Sequence, residues 1–423
     1  VNILIVGGGG REHAMAWKIS QNPKVKQLYV APGNPGCAQV YNTQNISIQA
    51  DDIAALIQFA KTNNIDVTLV GPELPLSKGI VDAFQKEGLA IFGPSQKAAQ
   101  LESSKAFSKA FMQRHHIPTA HFATFHDSHA AKAHIQKMGA PIVLKLDGLA
   151  AGKGVIVAMT LDEALSGVDC LFEMGGAQCE LIVEQCLEGE ELSFIVIADG
   201  EHAFALPTSQ DHKRLKDGDQ GPNTGGMGVY APSRLMTEHL HDTVMQSVIA
   251  PTLKGMQQEG MPFVGFLYAG LMISQTGEMW VLEFNARLGD PETEVILPIM
   301  QDDLLDLVLL ALDKKLPEAK AKLSAAAAIG VVMANDTYPE GKASNDVIQF
   351  PQAIPENQFI FHAGTRQIEG GDILASGGRV LCATALGQNF GEAKAKAYDL
   401  IKKIHWDHAY YRTDIAWRVI EKQ

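Results

Sequence analysis

The sequence predicts an α/β protein that opens on a parallel sheet and continues into antiparallel ones. Three observations predict it. Apolar runs at Asn2–Val6, Gln27–Val30, Asp66–Val70 and Ala90–Phe92 alternate with helical stretches, and each ends in a Gly/Pro turn. Residues 141–159, PIVLKLDGLAAGKGVIVAM, place a Gly/Lys turn between two apolar arms. Two further apolar strands, Gly265–Ile273 and Met279–Phe284, are joined by a short turn containing Gly277.

The 423 residues are enough for two to four domains. A content of 46% hydrophobic and 20% charged residues is that of an ordinary globular protein. The net charge of −13 argues against a nucleic-acid binder, yet local lysines and arginines can still hold a phosphorylated substrate. Five scattered cysteines show no zinc spacing and no disulfide framework, which suits a reduced compartment. The apolar start VNILIV is too short for a signal or a membrane span, so a cytoplasmic protein without a membrane partner is expected.

In the first hundred residues, helices are expected over Arg11–Ser20, over Asp51–Lys61 and through Val81 and Phe84, giving βαβ order and a parallel sheet. Ligands of such sheets sit beyond the carboxyl ends of the strands. A nicotinamide site is disfavoured. The GxGxxG register from Gly7 puts Glu12 at the third glycine, and the second strand closes as Val30-Ala31-Pro32 without an acid for a ribose. The turn Gly7–Gly10 has two readings: a phosphate site at a helix N-terminus beside Arg11, or a tight strand-to-helix turn.

A long helix is expected from Ser95 to His115, stopped by Pro118, with His115-His116 as a surface pair. A small α/β unit follows, with helices over Ser128–Met138 and Asp162–Phe172 and a last strand at Glu180–Glu184. Within it, Gly148, Gly152 and Gly154, flanked by Lys145 and Lys153, form a tip that could close over phosphates. It is not a Walker A loop, and taken alone a flexible hairpin tip is the commoner fate of such a pattern. The path through Glu184, Glu190 and Glu191 reads either as a hinge lining adenine and ribose or as a domain-crossing turn.

Residues 211–230 read as a long Gly-rich loop, with both signs of charge on Asp211, His212, Lys213 and Arg214; loops of that length are usually functional or disordered. A helix follows around Thr243–Gln258. On the strand Met279–Phe284 and its end, Glu283 and Asn285 are two apart and project from one face, whereas Leu282 and Phe284 are expected to face a core. A carboxylate and an amide oxygen are hard ligands suited to Mg²⁺ held against phosphates, and the strand runs into Arg287, Asp290 and Glu292. The helix Asp302–Leu312 is apolar nearly all round and should be buried. After a linker at Lys314–Lys322, strands are expected near Ala328–Met333, Val347–Phe350, Phe359–Ala363 and Arg379–Ala385, then a helix over Phe390–Ile404; His362 reads as a satisfied histidine.

These pieces together resemble the ATP-grasp superfamily and, within it, the glycinamide ribonucleotide synthetase family. The resemblance rests on GGGREHA (8–14), APGN (31–34), VGPE (70–73), KLDGLAAGKGV (145–155), SQDHKR (209–214), GPNTGGMG (221–228) and RLGDPETE (287–294), in order. HAGT (362–365) and GGRVL (377–381) extend it into the last domain. One departure is Leu146, where the family usually has Ala.

The resemblance implies an ATP-grasp architecture: an N-terminal Rossmann-like parallel-sheet domain over 1–101, a central antiparallel-sheet domain with the metal site over 102–120 and 189–322, a small lid domain over 121–188 and a C-terminal mixed α/β domain over 323–423. It implies ATP-dependent ligation of glycine to 5-phospho-β-D-ribosylamine through glycyl phosphate, giving glycinamide ribonucleotide, ADP and phosphate in purine biosynthesis. ATP and Mg²⁺ or Mn²⁺ are the implied cofactors, glycine and 5-phosphoribosylamine the substrates, and a monomer the expected state. Competing readings are an ATP-grasp ligase for another carboxylate and amine, a Rossmann-type oxidoreductase, and a non-catalytic nucleotide-binding module.

By the same resemblance, Lys105 and Lys145 hold the ATP phosphates under the lid tip Gly148, Gly152, Lys153 and Gly154. Glu184 and Leu187 border the adenine and Glu191 the ribose. Glu283 and Asn285 bind the metal, and Arg287 balances developing charge, which with Lys145 makes up the catalytic pair. Asp211, Arg214, Thr224, Gly225, Gly226, Asp290 and Glu292 are candidates for glycine and amine binding, and Gly10, Arg11, Glu12 and Asn34 for the phosphoribosyl group. Many ATP-grasp enzymes carry another carboxylate about where Gly270 falls; here that position has no ligand side chain, which leaves the metal count open.

Overall fold

In the computed structural model, which describes residues 1–149, 154–176, 178–322 and 324–421, the chain begins as an apolar strand buried on both faces. That strand, β1 (Asn2–Gly7), is central in a five-stranded parallel sheet with β2 (Gln27–Pro32), β3 (Thr43–Asn45), β4 (Val67–Val70) and β5 (Ile91–Phe92), in the order β3-β2-β1-β4-β5. A run such as ILIV is what a strand covered on both sides requires. Three-residue β3, with the polar sequence TQN, lacks that signal and escapes the sequence reading. The helices α1 (Gly10–Ile19), α2 (Ile53–Thr62), α3 (Glu73–Ser77) and α4 (Ile80–Lys86) connect the strands.

The single helix expected over 95–115 is two, α5 (Gln100–Ser103) and α6 (Lys105–Arg114). Ser104 breaks it: its backbone is extended, and its hydroxyl accepts the Phe107 N–H at 3.0 Å as an N-cap. The lid follows, with β6 (Phe122–Phe125), α7 (Ser128–Met138), β7 (Ile142–Leu146), β8 (Val155–Ala158), α8 (Leu161–Gly175) and β9 (Leu181–Gln185). Its antiparallel sheet runs β6-β9-β7-β8 and packs on α7 and α8 through a core of its own around Leu144, Val168, Leu171 and Val183. The chain crosses to the body at Gly189, where a Cβ would stand 2.2 Å from Ile273 O, so only glycine fits.

The central sheet pairs β10 (Glu190–Asp199) with β11 (Ala203–Ala205) and, along ten residues, with β16 (Val264–Ile273), which pairs β17 (Met279–Asn285). The stretch read as a loop over 211–230 is mostly strand: β12 (Gln210–Asp211), the hairpin β13 (Arg214–Lys216) with β14 (Gln220–Asn223), and β15 (Gly228–Ala231). These strands are short and rich in Gly and polar residues, and β15 finds its partner about a hundred residues later, so no local periodicity marks them. The helix expected over 243–258 starts earlier: α9 (Glu238–Val244), a π-turn at Met245–Ile249, then α10 (Ala250–Gln258), with Pro251 next to the irregular turn.

After α11 (Thr293–Ile299) and the buried α12 (Leu304–Leu312) comes the long strand β18 (Ala327–Asn335). It pairs β15 on one side and, on the other, β22 (Arg379–Gly387), which pairs β19 (Gln358–His362). The hairpin β20 (Thr365–Gln367) with β21 (Ile373–Ala375), the short β23 (Ala409–Tyr410) beside β18, α13 (Phe390–Ile401) and α14 (Trp417–Glu421) complete the chain. Val347–Phe350, expected as a strand, makes only isolated bridges from Val347 to Leu374 and from Gln349 to His405. Helix α13 stops at Ile401, three residues before the expected end, and α14 follows it where no helix is expected. Among the described residues no helix is long and apolar enough to cross a membrane.

Candidate active site

Glu73 at the start of α3, the N-terminus of α6, the base of the lid hairpin and the face of β16–β17 surround one cavity of about 260 Å³. It is lined by Lys105, Lys145, Gly148, Gly154, Asp211, Thr224, Gly225, Glu283, Asn285, Arg287, Asp290 and Glu292 among the residues singled out from the sequence. Glu73, Glu102, Lys109, Lys213 and Tyr268 line it too; none of them has a site role in the sequence reading, although Glu73 and Lys213 fall within the VGPE and SQDHKR motifs.

One wall is cationic. Lys105 opens α6 and donates from Nζ to Gly148 O at 2.6 Å, which ties the helix to the lid turn. Asp147 reinforces the tie: its carboxylate accepts the Ala106 N–H at 3.0 Å and the Ser104 hydroxyl at 3.2 Å. An acidic group at a helix N-terminus is favoured by the unpaired N–H groups there. Lys145 on β7 donates to Leu282 O at 3.2 Å and is ion-paired with Glu184. Burial lowers the Lys105 ammonium, with Glu283 and Asp147 opposing.

The floor is β17. Glu283 pairs across the sheet with Gly270, and Asn285 with Tyr268, so both point from one face as the spacing requires. A register shift beside Gly270 and Leu271 breaks the alternation, and Leu282 therefore lines the cleft instead of facing a core; Phe284 is buried as expected. Burial alone would raise the Glu283 carboxyl, but Lys213, Lys145, Lys105 and Arg287 outweigh it and hold the group below the usual carboxylate value. A Cβ on Gly270 would stand 3.3 Å from Glu283 Cγ, so this glycine leaves room for the carboxylate. Among the described residues no group of three or more His, Cys, Asp or Glu could hold a metal ion. A carboxylate and an amide oxygen fit a hard cation that takes its other ligands from phosphate and water.

Arg287 is clamped by two acids, with Nη2 2.8 Å from Glu102 Oε1 and Nε 3.4 Å from Glu73 Oε2. Burial is outweighed by these carboxylates, so its guanidinium is held above its ordinary value. Beyond it lies an acidic corner. Tyr268 OH donates to Glu292 Oε1 at 2.9 Å, and Ser193 Oγ donates to the same oxygen at 3.2 Å. Burial pushes the Asp211 carboxyl up to about 8 against Lys213, with Glu292, Glu191 and Glu283 adding to the rise. Such a corner suits an ammonium or amine. Arg379 holds the rim by donating to Gly225 O at 2.8 Å and to Asp290 O at 2.9 Å.

Other predicted residues stand behind or beside the cavity. The Arg11 side chain is buried against Glu12 (2.6 Å) and Leu288 O (3.1 Å), and its backbone N–H donates to Asp290 at 3.3 Å. Glu12 also accepts the Gly9 N–H at 2.6 Å, as in a capping box. Asn34 bonds Gly8 O (3.0 Å), Gly9 O (3.3 Å) and His362 O (2.8 Å), and Gly10 packs against Glu294. The Glu184 carboxylate is buried between Lys109 and Lys145. Glu191 pairs with Lys213. Arg214 donates to Gly221 O at 2.8 Å across its own hairpin, while Leu187 and Gly226 do not line the cavity. Gly152 and Lys153 lie outside the described residues.

Lys213 was within reach of sequence reasoning. It is two residues after Asp211 and shares its face once the segment is read as strand. Lys109 is four residues after Lys105, on the same helix face. Nothing local marks Glu102, because the unbroken helix expected there leaves it among surface positions.

The family model described as phosphoribosylglycinamide synthetase, N domain matches residues 1–102, the ATP-grasp (A) domain of the same family matches 103–293, and its C domain matches 328–418. A phosphoribosylamine–glycine ligase of Vibrio vulnificus (strain YJ016) is 52% identical over 427 aligned residues, covering 100% of this chain and 99% of that protein. The crystal structure of phosphoribosylamine–glycine ligase from Thermotoga maritima superposes with a TM-score of 0.84 at 32% identity, over 98% of this chain and 100% of that one. A biotin carboxylase domain of Hydrogenobacter thermophilus 2-oxoglutarate carboxylase, solved with MgADP, shares the fold at TM-score 0.72 and 14% identity, over 97% of this chain and 91% of that one.

Proposed function

Because the chain belongs to the phosphoribosylglycinamide synthetase family, we propose that this cleft joins glycine to 5-phospho-β-D-ribosylamine with ATP, giving glycinamide ribonucleotide, ADP and phosphate. A carboxylate is a poor electrophile, so the chemistry needs a better leaving group. The glycine carboxylate oxygen attacks the γ-phosphorus, the bond to ADP breaks, and glycyl phosphate forms. The ribosylamine nitrogen then attacks the acyl carbon, phosphate leaves, and the nitrogen gives up a proton. Catalysis in such a sequence is mostly positioning and charge neutralisation.

Each part has a candidate in this chain. Lys105 and Lys145 hold the ATP phosphates, with Gly148, Gly152, Lys153 and Gly154 above them. Leu187 borders the adenine and Glu191 the ribose. Glu283 and Asn285 would hold a divalent cation, Mg²⁺ or Mn²⁺, whose chemistry there would be neutralisation of phosphate charge. Arg287, held rigid by Glu102 and Glu73, faces the charge that develops on the transferring oxygens. Asp211 and Glu292 accept the ammonium and amine groups, and Asp290 with the 224–226 turn closes that corner. Arg214 braces the ribbon, and Gly10, Arg11, Glu12 and Asn34 frame the phosphoribosyl group.

The observation that carries this reading is the convergence of Lys105, Lys145, Lys213 and Arg287 on Glu283, beside Asn285, in one cleft. ADP release with ATP and Mg²⁺, omitting glycine or phosphoribosylamine in turn, tests it. Turnover should need both; undiminished turnover with other amino acids, or none with glycine, would sink the assignment.

A further inference from the structure

Lys105 and Lys109 are four residues apart and share a face of α6, yet they meet different partners. Lys105 reaches the lid turn, whereas Lys109 is almost wholly buried and lies 2.5 Å from Glu184 Oε2. The other Glu184 oxygen pairs with Lys145. Lys109 is also fixed to the body: it donates to Thr119 Oγ1 at 2.7 Å, and that hydroxyl donates to Val281 O at 2.7 Å. Glu184 and Lys145 belong to the neighbouring lid strands β9 and β7.

Two ammonium groups and one carboxylate, all buried, leave one positive charge in surplus beside the cleft. A buried carboxylate without a cation costs several kcal/mol, so Glu184 must always keep one partner. With two lysines present, one of them can leave. Lys145 lines the cleft beside the metal-bearing strand, while Lys109 is tethered through Thr119.

We propose that Lys109 is a positioning residue, a resident counter-ion for Glu184 that frees Lys145 to engage the phosphates of ATP. The inference rests on the assignment of Lys145 to those phosphates. Without Lys109, Glu184 and Lys145 would close into a neutral buried pair, and the cleft would lose both a charge and a hand.

Titration calorimetry with a non-hydrolysable ATP analogue and Mg²⁺, beside steady-state kinetics, tests this. Lys109→Met should weaken nucleotide binding about ten-fold or more and raise KM for ATP more than it lowers kcat. Lys109→Arg should stay close to the parent. The double variant Lys109→Met/Glu184→Gln should bind nucleotide better than Lys109→Met alone, because the carboxylate that captures Lys145 is gone; a merely structural role makes the double variant the worse of the two. Parental affinity in Lys109→Met, or no recovery in the double variant, overturns the proposal. If Lys109→Met does not fold, Lys109→Gln, which retains a donor for Thr119, takes its place in the same comparison. Lys145→Met separates the two assignments. Parental affinity there removes the role of Lys145 and the inference with it, whereas weakened binding there with parental binding in Lys109→Met removes the inference alone.

Discussion

Glu102 and Arg287 are joined by a charged contact at the cleft floor: Oε1 lies 2.8 Å from Nη2, and the other Glu102 oxygen accepts the Ala286 N–H at 2.8 Å. One carboxylate thus fixes both the guanidinium and the backbone before it. Glu102→Ala should destabilise the protein by about 3 kcal/mol, since it leaves Arg287 with only the longer carboxylate contact, to Glu73, and deprives the Ala286 amide of its acceptor. Glu102→Gln keeps the acceptor for Ala286 and should cost less stability while still depressing turnover. Urea denaturation beside ADP release separates the two effects.

Glu283→Gln should abolish turnover and leave the fold intact. Because four cations surround this carboxylate, its loss should not weaken metal-free ATP binding, but it should erase the gain in affinity that Mg²⁺ confers. Chelation of divalent cations should silence the parent protein, and added Mg²⁺ should restore it. Near-normal activity in Glu283→Gln would move the metal elsewhere.

How legible this was depends on the length scale of the signal. The parallel sheet was readable because β1, β2 and β4 are short apolar runs ending in Gly/Pro turns, and Glu283 with Asn285 because a period of two is local. Lys213 received no role because it lies between the short strands β12 and β13, in a polar stretch with no alternating pattern of its own. Leu282 was misjudged since a register shift is invisible in an alternating string. Glu102 became a site residue only when Ser104 broke the helix.

Asp211 sets a pH dependence. Its carboxyl is pushed up from 3.8 to about 8 chiefly by burial, so the folded protein holds a proton that the unfolded chain has released. The stability this contributes is complete below about pH 4 and is lost as pH rises through 8. The melting temperature of the ligand-free protein should therefore fall between pH 6 and 9, and Asp211→Asn should flatten that fall. A profile unchanged by the substitution would place the titrating group elsewhere.

An opposite dependence follows from the seam between α1 and β19. The His362 backbone N–H donates to His13 Nδ1 at 2.9 Å, and burial pushes these imidazoles down to about 3 for His13 and about 4 for His362. Both are held neutral when folded, so their contribution is complete above pH 6.5 and is lost as pH falls toward those values. Each should add a slope of about 1.4 kcal/mol per pH unit below 6. Denaturation of His13→Gln across pH 4–7 should show a shallower slope than the parent.

Among the described residues the lid has an apolar core of its own, and the polar bonds described between it and the body pass through Lys105, Asp147, Lys145 and Glu184. Two of these four are assigned to the nucleotide. Occupancy of the cleft and docking of the lid are therefore linked equilibria, and each must bias the other by the same factor. The lid is positioned to open as a sub-global unit without melting the body. Amide exchange over residues 122–185, and protease cleavage in the 186–189 crossing, should slow when ATP is present by more than exchange in β1 or β18 does. The cleft thus doubles as a thermostat for about one sixth of a fold whose remainder need not notice.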